Sequence, residues 1–170
     1  MGGWEIYTSS DEEVAMSDQT LNVGDVAPDF TLKDQHGNAV TLSALRGQKV
    51  VLSWHPLAWT SVCTTQMKDL EAHQDQFKQF NTVPLGMSVD SVPSKKAWAQ
   101  DMGVKETALL ADFYPHGEVA QMYGIFRDEG GTSQRAVFIV DEAGVIRFKK
   151  VYPGGQVPDM AEILQALKEI

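Results

Sequence analysis

The chain has 170 residues, a formal net charge of −9, and 43% hydrophobic and 22% charged residues, which suits one globular domain with a proper core. The acidic balance argues against a nucleic-acid partner, which calls for a basic face, and no apolar run approaches the roughly 18 residues of a membrane span. The amino terminus has no basic stretch followed by an apolar one, so no secretory signal is expected. A single cysteine excludes an internal disulfide, and a reducing, cytoplasmic setting is the simplest expectation.

Residues 1–15 read unlike the rest. Ser9-Ser10-Asp11-Glu12-Glu13 is polar and acidic and shows no apolar period, so a flexible extension is expected ahead of a single domain over 16–170. Trp4, Ile6 and Tyr7 leave room for a short docked strand.

From Gly24 the signals become regular. Phe30-Thr31-Leu32 and Ala39-Val40-Thr41-Leu42 flank the turn-rich Asp34-Gln35-His36-Gly37-Asn38 and read as a hairpin. Residues 43–46 make at most one helical turn, ended by Gly47. Residues 49–54 form an apolar run that reads as a buried strand. A helix-like stretch covers 64–80, where Met67, Leu70, Phe77 and Phe80 fall at spacings of three, seven and three. An apolar strand follows from near Val83 to Val89. Ser91 is an N-cap with Pro93 in the first turn of a helix that runs to Met102 and stops at Gly103.

Residues 108–111 make a short strand, 118–123 a short helix ended by Gly124, and 128–133 a loop. Arg135-Ala136-Val137-Phe138-Ile139-Val140 is strongly strand-like, and a turn at 141–144 returns the chain as a strand over 145–151. Met160, Ile163, Leu164, Leu167 and Ile170 form the apolar stripe of a closing amphipathic helix. Strands alternating with helices imply an α/β fold, with a central mixed sheet flanked by helices. The outline is that of a thioredoxin-like fold with an N-terminal β-hairpin added.

Cys63 falls where the strand over 49–54 has ended and a helix has just begun. The first turn of a helix offers unpaired N–H groups and the positive end of the macrodipole, which favour a thiolate, the nucleophilic form. Such a sulfur needs charge stabilisation, a substrate-orienting group and shelter from water. Thr60, three residues earlier, carries a hydroxyl able to donate and accept. Pro56 stiffens the strand end and offers an apolar wall. Arg135 opens a strand that can lie beside the one ending at Trp54, where a guanidinium would stabilise a thiolate and a developing oxyanion. Arg127, beside Asp128 and Glu129, is a weaker candidate and reads as a solvated pair. Each feature also has an ordinary reading: a core cysteine, a helix cap, a strand end, a surface cation.

Pro56-x-x-x-Thr60-x-x-Cys63 resembles the active-site signature of the peroxiredoxins, thiol peroxidases of the thioredoxin fold. The resemblance runs from about Asn22 onward and includes Val26-Ala27-Pro28-Asp29-Phe30, Asp112-Phe113-Tyr114-Pro115-His116 and Arg135-Ala136-Val137-Phe138-Ile139. It implies that Cys63 is the peroxidatic cysteine, Thr60 the peroxide-orienting residue, Pro56 the pocket wall and Arg135 the stabilising cation.

Three positions depart from the commonest pattern. His55 precedes Pro56 in place of an aromatic residue, as in the one-cysteine branch, and can tune Cys63 or serve as a structural hydrogen-bonding group. Trp59 replaces Phe and can pack or face a partner subunit, and Gln66 replaces Glu. The scattered histidines have no metal-site spacing, and neither metal nor cofactor is called for. The resemblance implies peroxide substrates and an external thiol reductant of thioredoxin, glutaredoxin or low-molecular-weight type, since no second cysteine exists. It also implies a homodimer or higher homo-oligomer. A redox sensor or relay forming mixed disulfides is the alternative; a disulfide reductase is disfavoured by the lack of Cys-x-x-Cys.

Overall fold

The computed structural model describes residues 20–170. The extension expected over 1–15, and the domain start at 16, lie outside the described residues.

In chain order the strands are β1 Thr31–Lys33, β2 Ala39–Thr41, β3 Lys49–Trp54, β4 Thr82–Ser88, β5 Ala108–Ala111, β6 Phe126–Arg127, β7 Thr132–Ser133, β8 Arg135–Val140 and β9 Ile146–Tyr152. The helices are α1 Ser61–Ala72, α2 Gln74–Gln79, α3 Val92–Met102, α4 Glu118–Met122 and α5 Met160–Glu169. Seven strands form one sheet in the order β2-β1-β5-β4-β3-β8-β9, while β6 and β7 pair as a separate ribbon. The central strands β3, β4 and β5 run parallel; β8 lies antiparallel to β3, and β9 to β8.

Strand alternation divides the core between the two faces of this sheet. Val50, Leu52 and Trp54 of β3 and Ala136, Phe138 and Val140 of β8 point toward α4, where they meet Val119, Ala120 and Tyr123. Val51 of β3 and Val137 and Ile139 of β8 point the other way, toward α1, α2, α3 and α5. Fully burying side chains of this size contributes about 1.5–3 kcal/mol each, so both faces hold the sheet in place.

The register places the chemistry. Trp54 pairs with Ala136, so Ser53, His55 and Arg135 share the parity of Val51 and Val137 and fall on the α1–α3 face. Gly86 of β4 lies on this face too, and a Cβ there would collide with Met67 and Leu109. Its missing side chain lets α1 lie close to the sheet, one turn beyond Cys63.

Element boundaries follow local chemistry. Ser91 caps α3 by accepting the Ser94 N–H at 3.4 Å, and Gly103, at φ 74°, ends it in the left-handed region. The helix expected over 64–80 is instead two. Nδ1 of His73 lies 2.7 Å from the carbonyl of Asp69, the acceptor that the His73 backbone N–H would use in an unbroken helix. That N–H turns to the carbonyl of Leu70, and the chain restarts as α2. The loop expected over 128–133 contains β7, which pairs with β6 through Phe126 opposite Ser133.

Candidate active site

Cys63 is the third residue of α1, whose N-cap is Thr60. Its side chain is 1% exposed and packs on the α1–α3 face among Val51, Met67 and Val137. Apolar packing alone would be the setting of an inert core cysteine, but Arg135 changes it. Arg135 is 4% exposed, and its Nη1 donates toward the Sγ of Cys63 at 3.4 Å and to Oε1 of Gln66 at 2.6 Å. Nη2 donates to the carbonyl of Gly154 at 3.0 Å, while Nε is buried with no partner among the described residues.

Gln66, one turn along α1 from Cys63, orients that guanidinium. Its Nε2 donates to Ser53 Oγ at 2.8 Å and to the carbonyl of Trp54 at 3.1 Å, which fixes Oε1 toward Arg135. A neutral amide is suited to this task. It holds the cation by a hydrogen bond without neutralising it, so the positive charge stays directed at the sulfur.

The loop between β3 and α1 has a different character. Pro56 is half-buried, Leu57 is 43% exposed and Trp59 51% exposed. Trp59 adopts φ 73°, an uncommon conformation for a bulky residue, and its Nε1 donates to Ser94 Oγ at 3.2 Å. The amide of Ala58 donates to the Asp90 carboxylate at 2.8 Å, and the Asp90 carboxylate also accepts from Ser88 Oγ. Oγ1 of Thr60 donates to the carbonyl of Leu57 at 2.8 Å, which spends its proton and leaves its lone pairs free to accept from a bound hydroxyl or peroxide.

His55 is fully buried, its ring tilted against that of Trp98 at 5.2 Å. Its backbone carbonyl accepts from Ser133 Oγ at 3.2 Å, and its Nε2 faces Nζ of Lys95 at 3.5 Å. Burial above all, then the charges of Lys95 and Arg135, hold the imidazole well below its ordinary pKa, so it is neutral.

The fold thus gathers Cys63, Arg135 and Gln66 into one hydrogen-bonded group. Thr60 and Trp59 stand at its solvent edge, and His55 lies behind the loop on Lys95 instead of hydrogen-bonded to the sulfur. Arg127 is exposed on β6.

Comparison with known proteins bears on this arrangement. The AhpC/TSA family profile matches residues 23–149. This chain belongs to that family, the peroxiredoxins. Alkyl hydroperoxide reductase E of Mycobacterium tuberculosis is 43% identical over 140 residues, covering 82% of this chain and 91% of that protein. A peroxiredoxin of Thermotoga petrophila is 35% identical over 154 residues, covering 87% of this chain and 71% of that one. Among solved structures, the reduced 2-Cys peroxiredoxin of Plasmodium vivax superposes with a TM-score of 0.79 at 26% identity, over 87% of this chain and 81% of its own. Peroxidoxin BcpB of M. tuberculosis gives 0.78 at 26% identity, over 88% and 98%. Membership of the peroxiredoxins supports thiol-dependent peroxide reduction as the chemistry of this chain.

One buried group escapes a reading by signature. Lys95 is 0% exposed in a peroxiredoxin chain whose next residue, Lys96, faces solvent. The signal was present in the sequence, because Lys95, Trp98, Ala99 and Met102 fall on one helical stripe, and a lysine on an apolar stripe is a buried charge.

Proposed function

We propose that this chain is a one-cysteine peroxidase that reduces hydrogen peroxide and small organic hydroperoxides through Cys63. The observation that carries the reading is the Arg135 guanidinium 3.4 Å from the sulfur of the chain's only cysteine.

The thiolate of Cys63 attacks one peroxide oxygen in line with the O–O bond. The S–O bond forms as the O–O bond breaks, sulfur gives up two electrons, and the leaving oxygen takes a proton to become water or an alcohol. Arg135 stabilises the thiolate and the charge developing on oxygen, and the first-turn N–H groups of α1 add donors on the same side. Thr60 accepts from the peroxide and orients it, and Pro56 walls the pocket.

The product is a sulfenic acid on Cys63. With a single cysteine in the chain, an external thiol condenses with it, releasing water, and a second thiol frees Cys63 as the external disulfide forms. A reducing compartment such as the cytoplasm supplies those thiols. Pairing of two copies through the exposed Leu57 and Trp59 would cover this loop. A relay that hands its oxidation to a client protein needs a sulfur another protein can reach, and 1% exposure suits a small peroxide better.

Stopped-flow mixing of the reduced protein with hydrogen peroxide tests the proposal. One added oxygen should appear on Cys63 by mass spectrometry, with catalytic peroxide consumption when a thiol is supplied. A Cys63→Ser variant as active as the parent would remove the reading.

A further inference from the structure

Lys95 occupies a position that helix periodicity assigns to the core, with Trp98, Ala99 and Met102 on the same face of α3. It is 0% exposed, and among the described residues its Nζ forms no ion pair. The nearby carboxylates are already engaged. Asp90 accepts from Ala58 N and Ser88 Oγ, and Asp112 accepts the Val119 and Ala120 amides at the start of α4. Among the described residues, the single hydrogen-bond-distance neighbour of Nζ is Nε2 of His55 at 3.5 Å, and Nδ1 of that fully buried ring has no partner.

The pair is tied to the sulfur from two sides. His55 directly follows β3 on the face of Cys63 and Arg135, two residues from Ser53, the anchor of Gln66. Trp98 packs its tilted ring against His55, and its Nε1 donates to Thr64 Oγ1 at 3.3 Å, next to Cys63. Burial brings the pKa of Lys95 down to about 7, while negative charge on Asp90, Cys63 and Asp112 pulls it back up. Opposite charges attract strongly in a buried setting, so an ammonium on Lys95 and a thiolate on Cys63 support one another. His55, neutral, accepts from the ammonium, and Arg135 is turned to the sulfur, Gln66 and the Gly154 carbonyl.

We propose that Lys95 is a positioning residue for the peroxidase reaction: paired with His55 behind the active-site loop, it carries a proton while Cys63 is an anion and releases it when oxidation makes the sulfur neutral. This rests on the assignment of Cys63 as the nucleophile. The step balances. Thiolate, hydroperoxide and Lys95 ammonium become sulfenic acid, alcohol and Lys95 amine; the alkoxide takes one proton from solvent and Lys95 returns one. When the thiol reductant restores the thiolate, the proton set free in the second exchange goes back to Lys95.

The test is the pH profile of Cys63 oxidation by hydrogen peroxide, read by stopped-flow tryptophan fluorescence from pH 5 to 9.5, in the parent, Lys95→Met and Lys95→Arg. The parent rate should fall as pH rises through about 7, where Lys95 loses its charge. The Met variant should lack that limb, react about tenfold more slowly than the parent on its acid side, and match it on the alkaline side. The alkaline match also serves as the folding control. Lys95→Arg should keep the acid-side rate and lose the limb.

A falling limb that persists in Lys95→Met assigns it to another group and overturns the proposal. So does a parent profile with no such limb, a result that needs no variant to fold. If the parent sulfur is not oxidised at all, it is the assignment of Cys63 that fails.

Discussion

Arg135 has three acceptors around two of its nitrogens: Cys63 Sγ, Gln66 Oε1 and the Gly154 carbonyl. Removing the guanidinium takes away the only cation among the described residues within hydrogen-bond distance of the sulfur. Arg135→Ala should therefore slow oxidation of Cys63 by hydrogen peroxide on the order of 10²–10³-fold, the usual loss when one preorganised donor is deleted. Thr60 offers a different signature, because its proton is spent on Leu57 and only its acceptor face is open. Thr60→Val should slow peroxide attack by about tenfold or more and leave alkylation by iodoacetamide nearly unchanged, since only peroxide carries a donor O–H on the pair of atoms that reacts. Equal slowing of both reactions would make the role of Thr60 structural. The placement of Cys63 at a helix start was legible at this scale because the strand before it and the helix after it are local, whereas Arg135, 72 residues away, was singled out by the family resemblance. The bridging role of Gln66 was not legible, since it depends on Ser53 and Trp54 arriving from another element. Lys95 went unread because composition treats a lysine as solvated until its place on a helical stripe is weighed.

Among the elements, α3, β5 and β8 were readable to the residue, since their ends carry caps, glycines or sharp changes of period. The division of α1 from α2 was hidden because it turns on one histidine side chain competing for a backbone carbonyl. The turn that leads into β5 was equally hidden. It is held by Glu71 of α1, whose carboxylate accepts the amides of Lys105, Glu106 and Thr107 and the hydroxyl of Thr107. Partial burial pushes this carboxyl up, but the Glu106, Lys105 and Thr107 donors outweigh it and the pKa lies below the ordinary 4.5. A depressed carboxyl contributes stability above its unfolded pKa and loses it as pH falls through the folded value. Glu71→Ala should thus cost about 2 kcal/mol in urea denaturation at pH 7, and the gap between variant and parent should narrow as the pH is taken below 4.5. A gap that stays constant with pH would mean that Glu71 contributes packing and not charge. The same turn secures the active-site face, because Gln35 bridges the Thr107 carbonyl and the Leu109 amide and so pins β1 beside β5.

Across the whole molecule, the mixed sheet and its flanking helices followed from the alternation of element types, but the strand order did not. Pairing of β1 with β5 rests on contacts such as Gln35 to Leu109, 74 residues apart, which no local pattern reports. The same long-range assembly leaves the fold with buried titratable groups that set its response to pH. The folded Lys95 has a pKa of about 7 against 10.5 in the open chain. Between those values the unfolded state binds more protons, so unfolding free energy rises with pH there; below 7 the deficit is complete and constant. His55 acts in the same sense lower down: its folded pKa lies well below 6.5, so stability drops as pH falls beneath that value. Tyr123 and Tyr152 have the opposite sign, since burial raises their phenols above 10 and their contribution is lost only at higher pH. Lys95→Met should accordingly stabilise the fold by about 1–4 kcal/mol at pH 6, as replacement of buried charge by a side chain of similar volume commonly does. The advantage should shrink steadily as pH is raised toward 9.5, below the range where the tyrosines enter. It should also ease the acid sensitivity of His55, whose pKa is held down in part by the Lys95 charge. Urea titrations at pH 6, 8 and 9.5 read all of this, and a variant advantage that does not change with pH would show that Lys95 keeps its proton in the folded protein throughout, as it does in the open chain.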